Sequence, residues 1–364
     1  MFKGFFSKKT TEPVSYIANP SPKSSSNLDF PTLEQSYLIK KMKTWLKIKK
    51  YACDSSDTME KGLCAGFTSA WLYYYSIGKI EYFYSILEKI ALWDEKDKGI
   101  DSVFEEAMNF VLFMQSPEKI YHDLYQPSMS HVLNRIMPSN RKVAPPEFQV
   151  SLLLNDIEAH QFFSKLLPLV KEKMVFLSCG NHICGLYINA KNEVHYYDSN
   201  NPRGDKIIYR VLDLVDSLRD SFFCQKKSYI PLSCSVVNYE GKPAASYQKV
   251  EKVLPDLTAH VVGRGNSMSS VSALYLAVSY SQYDWLDKLL TAGANPDDGL
   301  WVAAALGDKH MVRQLLSAGA DPYRLNHQWK SAIDCAKYYK HDEVLAMLIM
   351  NEKSRSAVSF TLSH

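Results

Sequence analysis

No stretch of about 18 apolar residues occurs in this chain, so no transmembrane helix is expected. Residues 1–9 lack the apolar core of a secretory signal, so export would need a dedicated secretion machine. Cysteine is sparse: seven in 364 residues, an odd number with no disulfide spacing, as fits reduced thiols in a cytosolic setting. Charge of one sign is missing too. The 42 basic and 39 acidic residues leave a net +3, too balanced for a nucleic-acid binder. Gly263-Arg264-Gly265 lacks the Lys-Ser/Thr ending of a phosphate loop. Cys179, His182 and Cys184 cluster, with His195 not far behind, but no second Cys pair stands at zinc-site spacing. Neither a metal nor a cofactor is expected.

What the chain does have is apolar and aromatic content, at 46% and 12% of residues. That is enough for a sizeable core and two domains. After Gly62-Leu63-Cys64-Ala65-Gly66, the positions Phe67, Ala70, Trp71 and Tyr74 fall on one face of a helix, and Gly78 stands where a cap glycine belongs. Cys64 is thus placed at a helix N-terminus, where unpaired N–H groups favour a thiolate. Gly62 supplies a tight entry.

Residues 173–178 and 183–188 read as strands around a Cys179-Gly180-Asn181 turn, and 193–197 as the next strand after a turn at 189–192. The turn text Asn200-Asn201-Pro202-Arg203-Gly204 follows. His182 starts the second strand, and antiparallel pairing brings Asp198 back beside it. A nucleophilic thiol, a base and an orienting carboxylate are the parts of a thiol-protease triad. Taken singly, each of these residues is more often structural; taken together they favour catalysis.

The Cys-Ala-Gly helix start, the Asn181-His182-Ile183-Cys184-Gly185-Leu186 strand and the Tyr196-Tyr197-Asp198-Ser199-Asn200 strand end resemble the YopT/AvrPphB-type cysteine proteases. These are papain-like effectors that bacterial pathogens inject into host cells. The resemblance covers about residues 38–239. It implies a papain-like fold with Cys64 as nucleophile, His182 as general base and acid, and Asp198 as orienter. One departure stands out. The family carries an amide side chain shortly before the cysteine, whereas residues 55–61 hold no Asn or Gln. The Cys64 N–H and the Thr58 hydroxyl are the substitutes at hand. Losing an oxyanion donor costs about a hundredfold in rate.

Residues 1–30 are rich in Ser and Pro and read as a flexible leader. Residues 38–50 carry Leu38, Met42 and Trp45 on one face among lysines. This is either a basic helix for an anionic membrane or a core helix with snorkelling lysines, and the core reading is favoured. Helical periods recur at Phe83, Ile86, Ile90 and Trp93, and from Val103 to Met114. Pro117, Pro127, Pro138 and Pro145-Pro146 break the following stretch, which is expected to loop over the cleft. Helices around 159–170 and 211–222 and a strand at 229–237 complete an α+β domain at 31–240.

Beyond a connector at 241–270, Leu289-Leu290-Thr291-Ala292-Gly293-Ala294-Asn295-Pro296 recurs as Leu315-Leu316-Ser317-Ala318-Gly319-Ala320-Asp321-Pro322. A third copy runs through Ser331-Ala332-Ile333-Asp334-Cys335-Ala336. The pattern resembles ankyrin repeats, about three of them over 271–350, before a polar tail at 351–364. Such stacks do no chemistry and present a surface to a partner protein. The expectation is therefore a papain-like cysteine protease domain followed by an all-α ankyrin repeat domain. It would be a translocated effector acting in a host cell on a host protein that the repeats recruit, in the manner of type IV secretion substrates. Two alternatives stay open: an acyltransferase or deamidase with the same triad, and an inactive scaffold. The sequence sets no oligomeric state.

Overall fold

The computed structural model describes residues 31–50, 59, 62–97, 99–115, 133, 142–258, 271–326 and 328–350, all within a compact unit that begins at Pro31. The leader at 1–30, Thr58, the stretch holding Pro117, Pro127 and Pro138, and the tail at 351–364 lie outside the described residues.

The architecture mixes helices with one antiparallel sheet. Four helices come first: α1 Gln35–Lys49, α2 Cys64–Ser76, α3 Ile80–Leu92 and α4 Asp101–Gln115. Then follow β1 Phe148–Leu154, α5 Asp156–Leu166, β2 Met174–Ser178, β3 Ile183–Ile188, β4 Val194–Tyr197, β5 Asp205–Ile208, α6 Val211–Ser221 and β6 Ile230–Val237. The sheet order is β1-β6-β2-β3-β4-β5, antiparallel throughout.

The sheet is covered on both faces, and strand alternation assigns each side chain to one of them. Met174, Phe176, Ile183, Tyr187 and Tyr197 join the core of α1–α4. Val175, Leu177, Cys184, Leu186 and Tyr196 join the opposite core with α5 and α6. Each large apolar side chain buried here contributes about 2 kcal/mol. In α1, Leu38, Met42 and Trp45 are buried while Lys40 and Lys47 are exposed, as is Lys50 at its C-cap. Trp45 stacks on Phe104 with ring centroids 5.3 Å apart.

Helix α2 ends as its sequence reads, with Gly78 at φ +70° just past its C-cap. It lies close against β3 because Gly185 has no side chain. A β-carbon there would stand 2.9 Å from Trp71 Cε3 and 3.2 Å from Thr68 Cγ2. The Thr68 hydroxyl donates to the Ile183 carbonyl at 3.1 Å. Trp71 in turn stacks on Tyr197 of β4 at 5.2 Å. The helix that begins at Cys64 is thereby fixed to the strand that follows His182.

The C-terminal region is a stack of helix pairs: α7 Ala273–Ser279 with α8 Tyr283–Thr291, α9 Asp297–Leu306 with α10 Lys309–Ser317, and α11 Ala332–Tyr338 with helical residues 342–350. The same turn joins each pair, with a left-handed residue at Ser281, Gly307 and Lys340. It is closed by N–H bonds of Gln282 to Ala277, Asp308 to Ala303 and His341 to Ala336. The first pair sits on the sheet, and one hydrophobic cluster runs from Val150 and Leu152 of β1 into Leu274, Val278 and Trp285. Buried Gln282 accepts from the Ser151 hydroxyl at 2.8 Å and donates to Ser233 Oγ at 2.7 Å. Trp285 Nε1 donates to the Ser151 carbonyl at 2.8 Å.

Candidate active site

Strand register brings the site together. Leu186 of β3 faces Tyr196 of β4. The next residues on that face of the sheet are Cys184 and Asp198, with His182 one step further along. His182 Nε2 meets Asp198 Oδ1 at 2.8 Å, and both residues are buried. Oδ1 also accepts the Asn200 N–H at 2.8 Å, and Oδ2 accepts the Ser221 hydroxyl at 2.5 Å. Ser221 is in turn held by the Tyr196 hydroxyl at 2.8 Å. The carboxylate is thus tied down by the residue preceding β3, by α6 and by its own turn.

Burial opposes charge on the His182 ring, but hydrogen bonds with Asp198, Cys184 and Cys64 outweigh it and hold the pKa far above its usual value. Burial likewise opposes charge on Asp198, yet bonds from His182, Ser221 and the Asn200 N–H keep its carboxyl below the ordinary range. The two opposed shifts favour a charged ring facing a charged carboxylate. With Nε2 committed to Asp198, Nδ1 is the nitrogen left to face a thiol.

Cys64 opens α2, and Gly62 just before it has φ +89°. The N–H of Leu63 is capped by Gln35 Oε1 and that of Gly66 by Gln115 Oε1, each at 2.9 Å. Between them, the N–H groups of Cys64 and Ala65 meet no acceptor among the described residues. Among the described residues, nothing competes with an oxyanion for these two N–H groups.

Cys64 is half-buried, whereas the other five described cysteines are buried. Burial pushes the thiol pKa of Cys179 up to about 11 and also raises those of Cys184, Cys224, Cys234 and Cys335. Cys184 touches the same imidazole but has no exposed surface. Of the two thiols at His182 among the described residues, Cys64 is the one open to a substrate.

The three predicted residues therefore converge. His195 does not join them. Its ring is engaged by the Tyr75 hydroxyl at 2.8 Å and by Asp205 Oδ2 at 3.0 Å. Donor atoms of His182, Cys184 and Asp198 do lie within 4.8 Å of one another. However, both Asp198 oxygens and His182 Nε2 are already spent on hydrogen bonds, a donor set suited to a proton-transfer pair rather than to a cation.

The sequence reading missed Gln35, Ser221 and Tyr196. Gln35 is buried and links the two halves of the site. Its Oε1 takes the Leu63 N–H, and its Nε2 donates to Asn200 Oδ1 at 2.6 Å. An amide side chain does stand beside the Cys64 helix, but it comes from α1 rather than from the residues just before the cysteine. A glutamine at the head of an apolar helix face was the only local signal.

No family model matches the chain, and no curated protein matches it in sequence.

Proposed function

We propose that the chain is a papain-like thiol hydrolase that cleaves an acyl–nitrogen bond in a protein, with Cys64 as nucleophile. The observation that carries the reading is the half-exposed Cys64 thiol at the head of α2, in hydrogen-bonding contact with a His182 ring that Asp198 fixes at 2.8 Å. The Cys64 sulfur, whose proton already rests on His182 Nδ1, attacks the carbonyl carbon as a thiolate. The resulting oxyanion is met by the Cys64 N–H. As the C–N bond breaks, the leaving amine takes the proton from His182, and a thioester remains. Water gives a proton to the same nitrogen as its oxygen attacks. The carboxylic acid leaves, and the thiolate is again paired with the protonated ring.

The helix pairs from α7 onward are read as ankyrin-like repeats that select a protein partner. The short motifs around Cys64, His182 and Asp198 support placement among bacterial effectors delivered into a host cell.

The test is the pH dependence of Cys64 alkylation by iodoacetamide, followed by mass spectrometry in the wild type and in His182→Ala. Slower alkylation at neutral pH in the variant, with the midpoint moved upward from that of the wild type, is the expected result. Matching profiles in the two proteins would sink the reading. Cys64→Ala should abolish turnover of any protein substrate.

A further inference from the structure

His182 is delivered by the turn Cys179-Gly180-Asn181, closed by the Cys179 N–H donating to the His182 carbonyl at 3.0 Å. Inside the turn, Cys179 Sγ also donates to Asn181 Oδ1 at 3.2 Å, and further contacts reach it from the C-terminal helices. Gly180 has φ +101°, and a β-carbon there would stand 2.9 Å from Tyr275 Cε1 and 3.6 Å from Leu276 Cδ2. Both contacts come from α7, the first helix of the C-terminal stack. At the end of the same helix, the Tyr280 hydroxyl oxygen accepts the Gly180 N–H at 3.2 Å, and the Ser178 hydroxyl also bonds to it. Tyr280 thus grips the turn at its exit from β2 and again two residues before the imidazole. Burial raises the pKa of its phenol, so the hydroxyl stays neutral and its oxygen remains an acceptor.

The helix that carries these tyrosines is itself fixed. Gln282, two residues on, is bonded to Ser151 and Ser233, and Trp285 is bonded to the Ser151 carbonyl. The path from β1 and β6 through Gln282 and Tyr280 to Gly180 and His182 is one of continuous packing and hydrogen bonds.

We infer that Tyr280 is a positioning residue for His182, so that the C-terminal helices complete the catalytic site as well as offering a recognition surface. This rests on the thiol–imidazole reading above. A phenol oxygen that accepts the Gly180 N–H fixes the turn, and the turn fixes how far Nδ1 stands from the Cys64 sulfur. A displacement of a few tenths of an ångström is enough to weaken the pair.

The experiment uses the full chain and the same iodoacetamide titration in Tyr280→Phe, with circular dichroism as the check on folding. The ring stays in place and only the acceptor is lost. The expected result is a Cys64 alkylation rate at neutral pH lower by about three- to tenfold, the size of one hydrogen bond. Its pH midpoint should move toward that of His182→Ala, a change that loss of packing alone would not produce. Gly180→Ala, which drives the turn against Tyr275, approaches the same contact from the other side and should shift the midpoint the same way.

If either variant folds and keeps the wild-type midpoint and rate, the inference is overturned while the Cys64–His182 pair stands. A wild-type thiol whose titration ignores His182 removes both.

Discussion

The Ser221 hydroxyl donates to Oδ2 of Asp198 at 2.5 Å, the oxygen that His182 leaves open. The end of α6 thereby orients the carboxylate that orients the imidazole. Ser221→Ala takes the donor from a buried carboxylate oxygen and leaves the Tyr196 hydroxyl only its contact with Cys184. The expected loss is about 1–3 kcal/mol of stability, read as a lower urea midpoint, with slower Cys64 alkylation. Tyr196→Phe should cost less, because Ser221 can still donate. The double variant should fall short of the sum, since the two groups share one chain of bonds. Strict additivity would show that they act independently.

Gln35 carries a second prediction. Gln35→Ala strands the Leu63 N–H at the head of α2 and frees Asn200, for about 1–3 kcal/mol of lost stability. Gln35→Glu keeps an acceptor for Leu63 but sets an acceptor against Asn200 Oδ1 and adds negative charge near the Cys64 thiolate. Its alkylation should be slower than that of Gln35→Ala at equal pH. Urea melts and alkylation rates on both variants decide the matter. An unchanged melt in Gln35→Ala would mean that water replaces the amide without cost.

Where the sequence reading succeeded and failed has physical reasons. Helix α2 and strands β2, β3 and β4 were legible because their periods are unmixed and turns rich in glycine or asparagine bound them. Cys64, His182 and Asp198 were legible because each sits where an element begins or ends. Strand β1 was not assigned. Gln149 and Ser151 interrupt its apolar run, and they are accepted there only because Ser235 and Gln282, far along the chain, bond to them. Strand β5 is four residues at the sheet edge with two of them exposed, too short for a pattern. Gln35, Ser221 and Tyr280 act on the site across 23 to 165 positions of sequence. No local period can announce such contacts.

The His182–Asp198 pair also makes stability depend on pH. The folded-state pKa of His182 is raised, so its contribution is complete below the unfolded value of about 6.5 and is lost as pH climbs toward the folded one. The pKa of Asp198 is lowered, so its contribution is complete above the unfolded value of about 3.9 and is lost as pH falls toward the folded one. Both are whole only between about pH 4 and 6.5. Asp198→Asn removes the carboxylate and with it most of the shift on the imidazole. The stability gap between wild type and this variant should therefore be widest near pH 5.5 and narrower at pH 8.5. Thermal melts at the two values measure it. A gap that widens toward pH 8.5 would mean that the imidazole is neutral in the folded protein and that Asp198 holds it only by an uncharged hydrogen bond.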